Sequence, residues 1–558
     1  VEETPDSFTV RYRALCEGAG GERLNYRASI TGTANGVAFE AEATPEGDFL
    51  TNRCGFSILH PVVGLAGSPV EIEHVDGAIE HSVLPALIDP AQPFMQMRAI
   101  SHQVAPGVCA TCRMEGDAFE MEDQRNWSDA SFKTYVRPLA LPWPYTLPAG
   151  EPQAQSVTLT IDVAGDASAP VARGANEPVR ISLGDIVGTL PRFGLILTPE
   201  EAAATLKHGD RLKELAPQTL LCHFDLTSGH GLKALRAFRD IAQLHPAELV
   251  LECVVPCMAP VDEEMAHIAR LVREVGLKLD AIAVSPAVDR KSTPPGSKWP
   301  DCPPLEEVYA ATRRAFPGVR LGGGMFSYFT ELNRKRPPVQ HLDYVTHCTC
   351  PIVHDPDDRS VMQSLEALPF ILRSTRAIIG AGTPYRIGPS TLGMRHNPYG
   401  SRTMPNPEGR RIPMTANDPR QRGLFAAAWM IGYAARLGEA GVEAFTGAAL
   451  TGDFGLLDED GRARPVFHAA KMLADIGGWA RVACRSSDED RVLALSGRSD
   501  LAERTVLLAN LTARDQRVEL PAGEIVMLDE TAMDSPQPLK GKLTLRAYAV
   551  ARVVLLDQ

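Results

Sequence analysis

Between residues 190 and 480 the chain repeats one unit eight times, an apolar run and, in most cases, an amphipathic stretch behind it. The runs are FGLIL (193–197), TLLCHFD (219–225), ELVLECVV (248–255), DAIAVSPA (280–287), VRLGGG (319–324), LDYVTHCT (342–349), PYRIGPS (384–390) and VEAFTG (442–447). Stretches such as GLKALRAFRDIAQL and DEEMAHIARLVREVG carry the helical period between them. Near-continuous apolar runs suit strands buried on both faces, as in a parallel sheet covered by helices. Eight such units over this length predict a closed (β/α)8 TIM barrel rather than an open doubly wound sheet.

The flanking text has a different rhythm. Up to residue 165, segments such as FTVRYRA, NYRASITG, VAFEAEA and SVTLTIDVAG alternate polar and apolar residues between Gly, Pro and Asn. That pattern predicts an N-terminal antiparallel β-sandwich over 1–165. GDASAPVARGANEP (165–178) reads as a linker. After Trp479, RVLALSG, RTVLLANLT and LTLRAYAVARVVLL predict a C-terminal β domain over 481–558. The expected class is thus multidomain, α/β and β, with the barrel at 190–480. Sandwich, barrel and β appendage recur together among enzymes acting on carbohydrates, which is an analogy of architecture only.

A formal net charge of −13 with both signs dispersed gives no basic stripe, so no nucleic-acid partner is expected. No apolar run approaches the roughly 18 residues of a membrane span. The opening VEETPDSF is polar and acidic, unlike a secretory signal. Eleven cysteines make an odd set for a disulfide framework, and the CxxC of Cys109 and Cys112 has no second pair at zinc-ribbon spacing. Reduced thiols in a cytoplasmic protein are the expectation. No cofactor or metal is expected, and the oligomeric state is open.

Active sites of such barrels lie at the C-terminal strand ends. The second run ends in His223 and Asp225, the third carries Glu252, the sixth His347 and the seventh Arg386. Arg395 and His396 follow in the next loop, and Glu331 and Asn333 stand in the long segment after the fifth run. His347, Glu252, Glu331 and Asp225 are the catalytic candidates; His223, Arg386, Arg395 and Asn333 are candidates for holding substrate. Each has a plainer reading: a barrel His bonded to a carbonyl, or Glu252 as a structural partner for Arg386. In HCTCPIVH (347–354), strand alternation sends His347 and Cys348 to opposite faces, which argues against one metal collecting them.

A glycosidase of this architecture needs two carboxyl groups, usually at the ends of strands four and seven. Here those ends read Ser285-Pro286-Ala287 and Gly388-Pro389-Ser390. No GxSxG elbow occurs either. Opening an ester or lactone by an activated water requires a base, an oxyanion donor and an acid, roles that His, Glu, Asp and Arg can fill.

Four stretches carry a resemblance: CGFSILHP (54–61), FEMEDQRNWSDASFKTYVRPLALPWPY (119–145), VTHCTCPIVHDPDDRSVMQSLEALPF (345–370) and IGPSTLGMRHNPYGSR (387–402). They resemble the D-apionate lactonase family of bacterial apiose catabolism, across all three regions. The resemblance implies hydrolysis of a small sugar-acid lactone, D-apionolactone, to D-apionate, and assigns no catalytic residue. A barrel glycosidase and a non-catalytic carbohydrate-binding protein are the alternatives. The charged stretch MEDQRNWSDASFKTY (121–135) raises its own question. Its Glu122, Arg125, Trp127 and Lys133 are read as a structured polar surface for a sugar acid, against a network in which Arg125 and Lys133 pair with the acids.

Overall fold

The computed structural model describes residues 1–165, 177–529 and 535–555. Most of the expected linker, 166–176, lies outside the described residues. Eight parallel strands close into a barrel: β1 (Arg192–Leu197), β2 (Thr219–Asp225), β3 (Glu248–Val255), β4 (Ala281–Pro286), β5 (Arg320–Tyr328), β6 (Tyr344–Cys348), β7 (Tyr385–Ile387) and β8 (Val442–Ala449). All eight predicted runs are barrel strands, and β8 pairs back onto β1. The outer layer comprises α1 (Ala202–Lys207), α2 (Gly209–Leu215), α3 (Leu232–Leu244), α4 (Val261–Val275) and α5 (Leu305–Ala315). It continues with α6 (Phe329–Lys335), α7 (Asp358–Ile379), α8 (Leu424–Leu437) and α9 (Pro465–Ile476).

Helix α4 shows why these segments fold as they do. Met265, Ile268, Ala269, Val272 and Val275 recur at three- and four-residue spacing and are buried. Asp262, Glu263 and Glu264 occupy the first turn, where the helix dipole favours negative charge, and Gly276 at φ +72° ends the helix.

The barrel interior is identified by one glycine. A Cβ on Gly194 would stand 2.0 Å from Thr219 Oγ1 and 3.2 Å from Thr446 Oγ1, so these three residues share an interior layer. Strand alternation then carries Leu221 and His223 of β2 inward. Val250, Val254, Ala281, Ala283, Phe326 and Tyr344 form an apolar cluster with Leu221.

The described residues form two compact units. One holds Val1–Arg125 and the N-terminal strands after Ala130; the other holds Asn126–Asp129 and the barrel and C-terminal domain. In the first, a nine-stranded antiparallel sheet is accompanied by sheets of three and two strands. In the second, a further nine-stranded sheet follows the barrel and includes Val179–Thr189, paired antiparallel with Ala480–Ser486. The C-terminal domain is therefore assembled from both flanks of the barrel. Val179, Ile181, Val492, Val506 and Leu508 meet in its core.

Candidate active site

β2 and β3 run in parallel register with His223 opposite Glu252. His223 Nδ1 lies 2.8 Å from Glu252 Oε1. The long segment after β7 brings in Arg395, whose Nη1 donates to Glu252 Oε2 at 3.0 Å and whose Nη2 donates to Oε1. Arg395 Nη2 also stands 2.9 Å from His223 Nδ1. Side-chain exposure falls from 18% at His223 to 10% at Arg395 and 2% at Glu252, so solvent meets the cluster at the imidazole.

The electrostatics follow from this packing. Burial would raise the Glu252 carboxyl, but Arg395 and His223 outweigh it and hold the group down at about 2. Burial and the Arg395 charge lower His223 below the usual imidazole range, with Glu252 and Asp225 opposing them. Burial acts against the Arg395 charge, yet Glu252 pushes that guanidinium above its ordinary value. The cluster therefore holds an ionised carboxylate, a guanidinium and a neutral imidazole at neutral pH.

Asp225, a catalytic candidate by sequence, has another task. Its Oδ1 accepts from Thr227 N at 2.9 Å and Thr227 Oγ1 at 2.7 Å. Its Oδ2 accepts from Ser228 Oγ at 2.8 Å and Arg290 Nη1 at 2.7 Å. Four donors on a fully buried carboxylate fasten the loop after β2 and leave it no role as a base. The Asp225 backbone N–H donates to His230 Nδ1 at 3.0 Å, so His230 carries its proton on Nε2, 3.1 Å from Glu200. The His230 ring then stands edge-on to His223 at 5.8 Å. His230, Glu200 and Arg290 are neighbours that sequence reasoning missed, because none of the three stands on a barrel strand.

Two further candidates lie elsewhere. His347 is fully buried on the outer side of the barrel wall. Its Nε2 is 2.6 Å from Tyr385 Oη and 3.3 Å from Thr375 Oγ1 of α7, and its ring stacks on Tyr385 at 5.6 Å. Burial lowers it to about 4, so it is a neutral core histidine and does not point into the mouth. Arg386 points to the opposite rim. Its Nη2 donates to Glu248 at 2.7 Å, and its Nε lies 3.4 Å from Glu443; both acids stand at the N-terminal ends of their strands. Arg192 and Arg320 join the same acids, making a structural ion network at the barrel bottom. The partner of Glu252 is accordingly Arg395, not Arg386.

Glu331 is fully buried at the start of α6, 3.2 Å from Arg334 Nη1; burial raises its carboxyl while Arg334 opposes. Asn333 donates to Asn126 Oδ1 at 3.0 Å, and Thr330 Oγ1 donates to Asn126 O at 2.7 Å. These residues hold the short segment 126–129 to α6. There Trp127 packs against Tyr328 and Tyr399, at 6.4 and 5.5 Å between ring centres. The rest of the 121–135 stretch is the hairpin Glu120–Asp123 and Ser131–Tyr135. Lys133 pairs with its cross-strand neighbour Glu122 at 2.7 Å. Arg125, wholly buried, grips Asp123 through Nε at 2.8 Å and Nη2 at 2.6 Å. Both basic residues are therefore engaged with acids of the hairpin itself. Among the described residues, no group of three or more His, Cys, Asp or Glu side chains converges to hold a metal.

Comparison with known proteins covers most of the chain. The domain profiles of D-apionate lactonase match residues 193–478 (TIM barrel domain), 1–164 (N-terminal domain) and 489–553 (C-terminal immunoglobulin-like domain). A D-apionate lactonase of Brucella anthropi is 51% identical over 545 residues, spanning 96% of this chain and 88% of that protein. Among solved structures, a GH51 arabinofuranosidase from Xanthomonas axonopodis pv. citri aligns with TM-score 0.49 and 14% identity, over 68% of this chain and 100% of the other. A GH30 endoxylanase from Clostridium papyrosolvens aligns with TM-score 0.46 and 11% identity over the same shares.

Proposed function

The chain belongs to the D-apionate lactonase family, and from that premise we propose that it hydrolyses D-apionolactone to D-apionate at the His223–Glu252–Arg395 cluster. The observation that carries the assignment of the site is the 2.8 Å contact between His223 Nδ1 and a carboxylate fixed by Arg395. Nδ1 stands 2.8 Å from the Glu252 carboxylate and 2.9 Å from the Arg395 guanidinium; the carboxylate can only accept, and we assign the Nδ1 proton to it. Nε2 is left as the basic nitrogen on the solvent side. This is the logic by which a buried carboxylate sets the tautomer of a catalytic imidazole.

His223 takes a proton from water as the water oxygen bonds to the lactone carbonyl carbon. Charge then develops on the carbonyl oxygen. Arg395 has five N–H donors, two of them given to Glu252 and another side-chain bond made to Cys348, so donors remain for that oxygen. Positioned base catalysis contributes about 10²–10⁴-fold and a single oxyanion donor about 10²–10³-fold. Glu252 cannot serve a glycosidase as a protonated acid, since Arg395 keeps it ionised. The ends of β4 and β7 supply no replacement carboxylate at the expected places.

We further assign the protein to the cytoplasm and to apiose breakdown, on the strength of the family resemblance. No helix among the described residues is long and apolar enough to cross a membrane. The test is acid release from D-apionolactone by the purified protein, with spontaneous hydrolysis subtracted, alongside an aryl glycoside. Accelerated lactone opening supports the assignment. Cleavage of the glycoside without lactone turnover reverses it.

A further inference from the structure

Eleven cysteines are spread along the chain, and the barrel brings two of them together. Cys257 lies in the loop between β3 and α4, and Cys302 in the segment between β4 and α5. A helix and a strand separate them in sequence, yet their side chains are in hydrogen-bond contact. We propose that this pair is a redox modification site: hydrogen peroxide converts Cys257 and Cys302 to a reversible disulfide that clasps the loops after β3 and β4 at the C-terminal rim of the barrel.

The local structure holds the pair ready. Glu264 of α4 accepts from the backbone N–H of Cys257 at 2.8 Å, of Met258 at 2.9 Å and of Ala259 at 3.0 Å. The chain carrying the first thiol is therefore tied to the helix that follows it. Cys257 takes φ +57°, a left-handed conformation that Gly or Asn meets more readily. A side chain is kept there, and it is a thiol against a second thiol. On the other loop, Pro303 and Pro304 follow Cys302 directly and stiffen its approach to α5. Sulfurs already in contact spare the backbone movement that a distant pair would need. Both thiols are half-buried and reachable, whereas Cys222, Cys253, Cys348 and Cys350 are buried.

The two sulfurs are unequal. The Cys257 thiol donates to Cys302, which pushes the Cys302 thiol down and the Cys257 thiol up. Burial opposes the first shift and adds to the second. Lys335 favours the Cys302 thiolate and Asp289 opposes it; Lys335 Nζ also bonds Asp289 and lies 5.2 Å from the Trp299 ring centre. Glu264 and Asp289 keep Cys257 protonated. Cys302 is thus the attacking thiolate and Cys257 the resolving thiol. The Cys302 sulfur takes one peroxide oxygen as the O–O bond breaks, and the released hydroxide becomes water with the proton Cys302 gave up. Cys257 then attacks the sulfenic sulfur; the S–S bond forms, the S–O bond breaks, and the hydroxyl leaves with the Cys257 proton as a second water. Two thiols lose two electrons and one peroxide is reduced. The segment that carries Cys302 also carries Arg290, which holds Asp225 and the loop after β2, so the clasp joins loops of one mouth.

The test is peptide mapping of the whole protein, treated briefly with hydrogen peroxide and then alkylated. A Cys257–Cys302 cross-linked peptide should form and dithiothreitol should return both thiols. The pair should be oxidised at least about tenfold faster than exposed Cys16, which reports unselective reaction. In Cys257→Ser, Cys302 should stop at the sulfenic acid and be trapped by dimedone. Thiols at 257 and 302 that stay alkylatable while Cys16 is oxidised would overturn the proposal. So would cross-links formed with other cysteines instead, or a pair oxidised no faster than Cys16. The unsubstituted protein alone decides between these outcomes, whether or not the variant folds.

Discussion

Replacing Glu252 by Gln removes one charge at a site where three groups depend on it. The amide cannot accept both Arg395 nitrogens and also the proton of His223 Nδ1, so the imidazole loses its orienting bond. Loss of an oriented base removes about 10²–10⁴-fold, and the Arg395 charge, freed from its carboxylate, no longer sits where the carbonyl oxygen develops charge. Together these predict a fall in kcat/KM of about 10³–10⁴-fold, which is roughly 4–5.5 kcal/mol of transition-state stabilisation at 1.36 kcal/mol per decade. The same change breaks a buried ion pair, with a stability cost of about 3–5 kcal/mol. Thermal unfolding followed by circular dichroism should therefore precede the rate assay, which reads proton release in weak buffer with the spontaneous rate subtracted. A folded Glu252→Gln protein that retains turnover within tenfold of the parent would show that neither tautomer control nor the guanidinium is limiting.

His347→Ala should lower the thermal midpoint by about 5–10 °C through a lost hydrogen bond and a cavity, with kcat/KM of the folded protein within about threefold of the parent; a loss above 100-fold would return His347 to the site. Arg386→Met strips the cation between Glu248 and Glu443, so urea unfolding should show destabilisation of about 2–4 kcal/mol with KM for the lactone little changed. Glu252 is held below its ordinary 4.5, so it contributes stability that is complete above that value and is lost as pH falls through about 2. Acid titration of the barrel's unfolding should steepen across that window, and Glu252→Gln should flatten it.

The barrel was readable because strands covered by helices on one side and packed interior on the other become apolar runs. That same double burial hid which face was which. Val345 and His347 alternate with Thr346 and Cys348 on β6, and both sets are buried, so alternation alone did not say that His347 faces α7. Arg386 misled for a related reason: β7 has only three residues, and its long side chain reaches back to the acids at the other rim. Glu252 and His223 were legible as inward neighbours, but their shared partner comes from a loop some 140 residues further on. The strand Val179–Thr189 was missed because its partner Ala480–Ser486 lies beyond the entire barrel, and no local pattern announces a pairing at that separation. The charged hairpin stands out by its composition. Its Glu122–Lys133 and Asp123–Arg125 pairs show the charges already engaged with one another.

The site assignment is tested most directly by a crystal structure with the lactam analogue of D-apionolactone, in which an amide replaces the scissile ester. The lactam carbonyl oxygen should lie within hydrogen-bonding distance of an Arg395 nitrogen, and the carbonyl carbon about 3–4 Å from a water held by His223 Nε2. An analogue bound with its carbonyl away from Arg395, or in a pocket that excludes His223, contradicts that assignment.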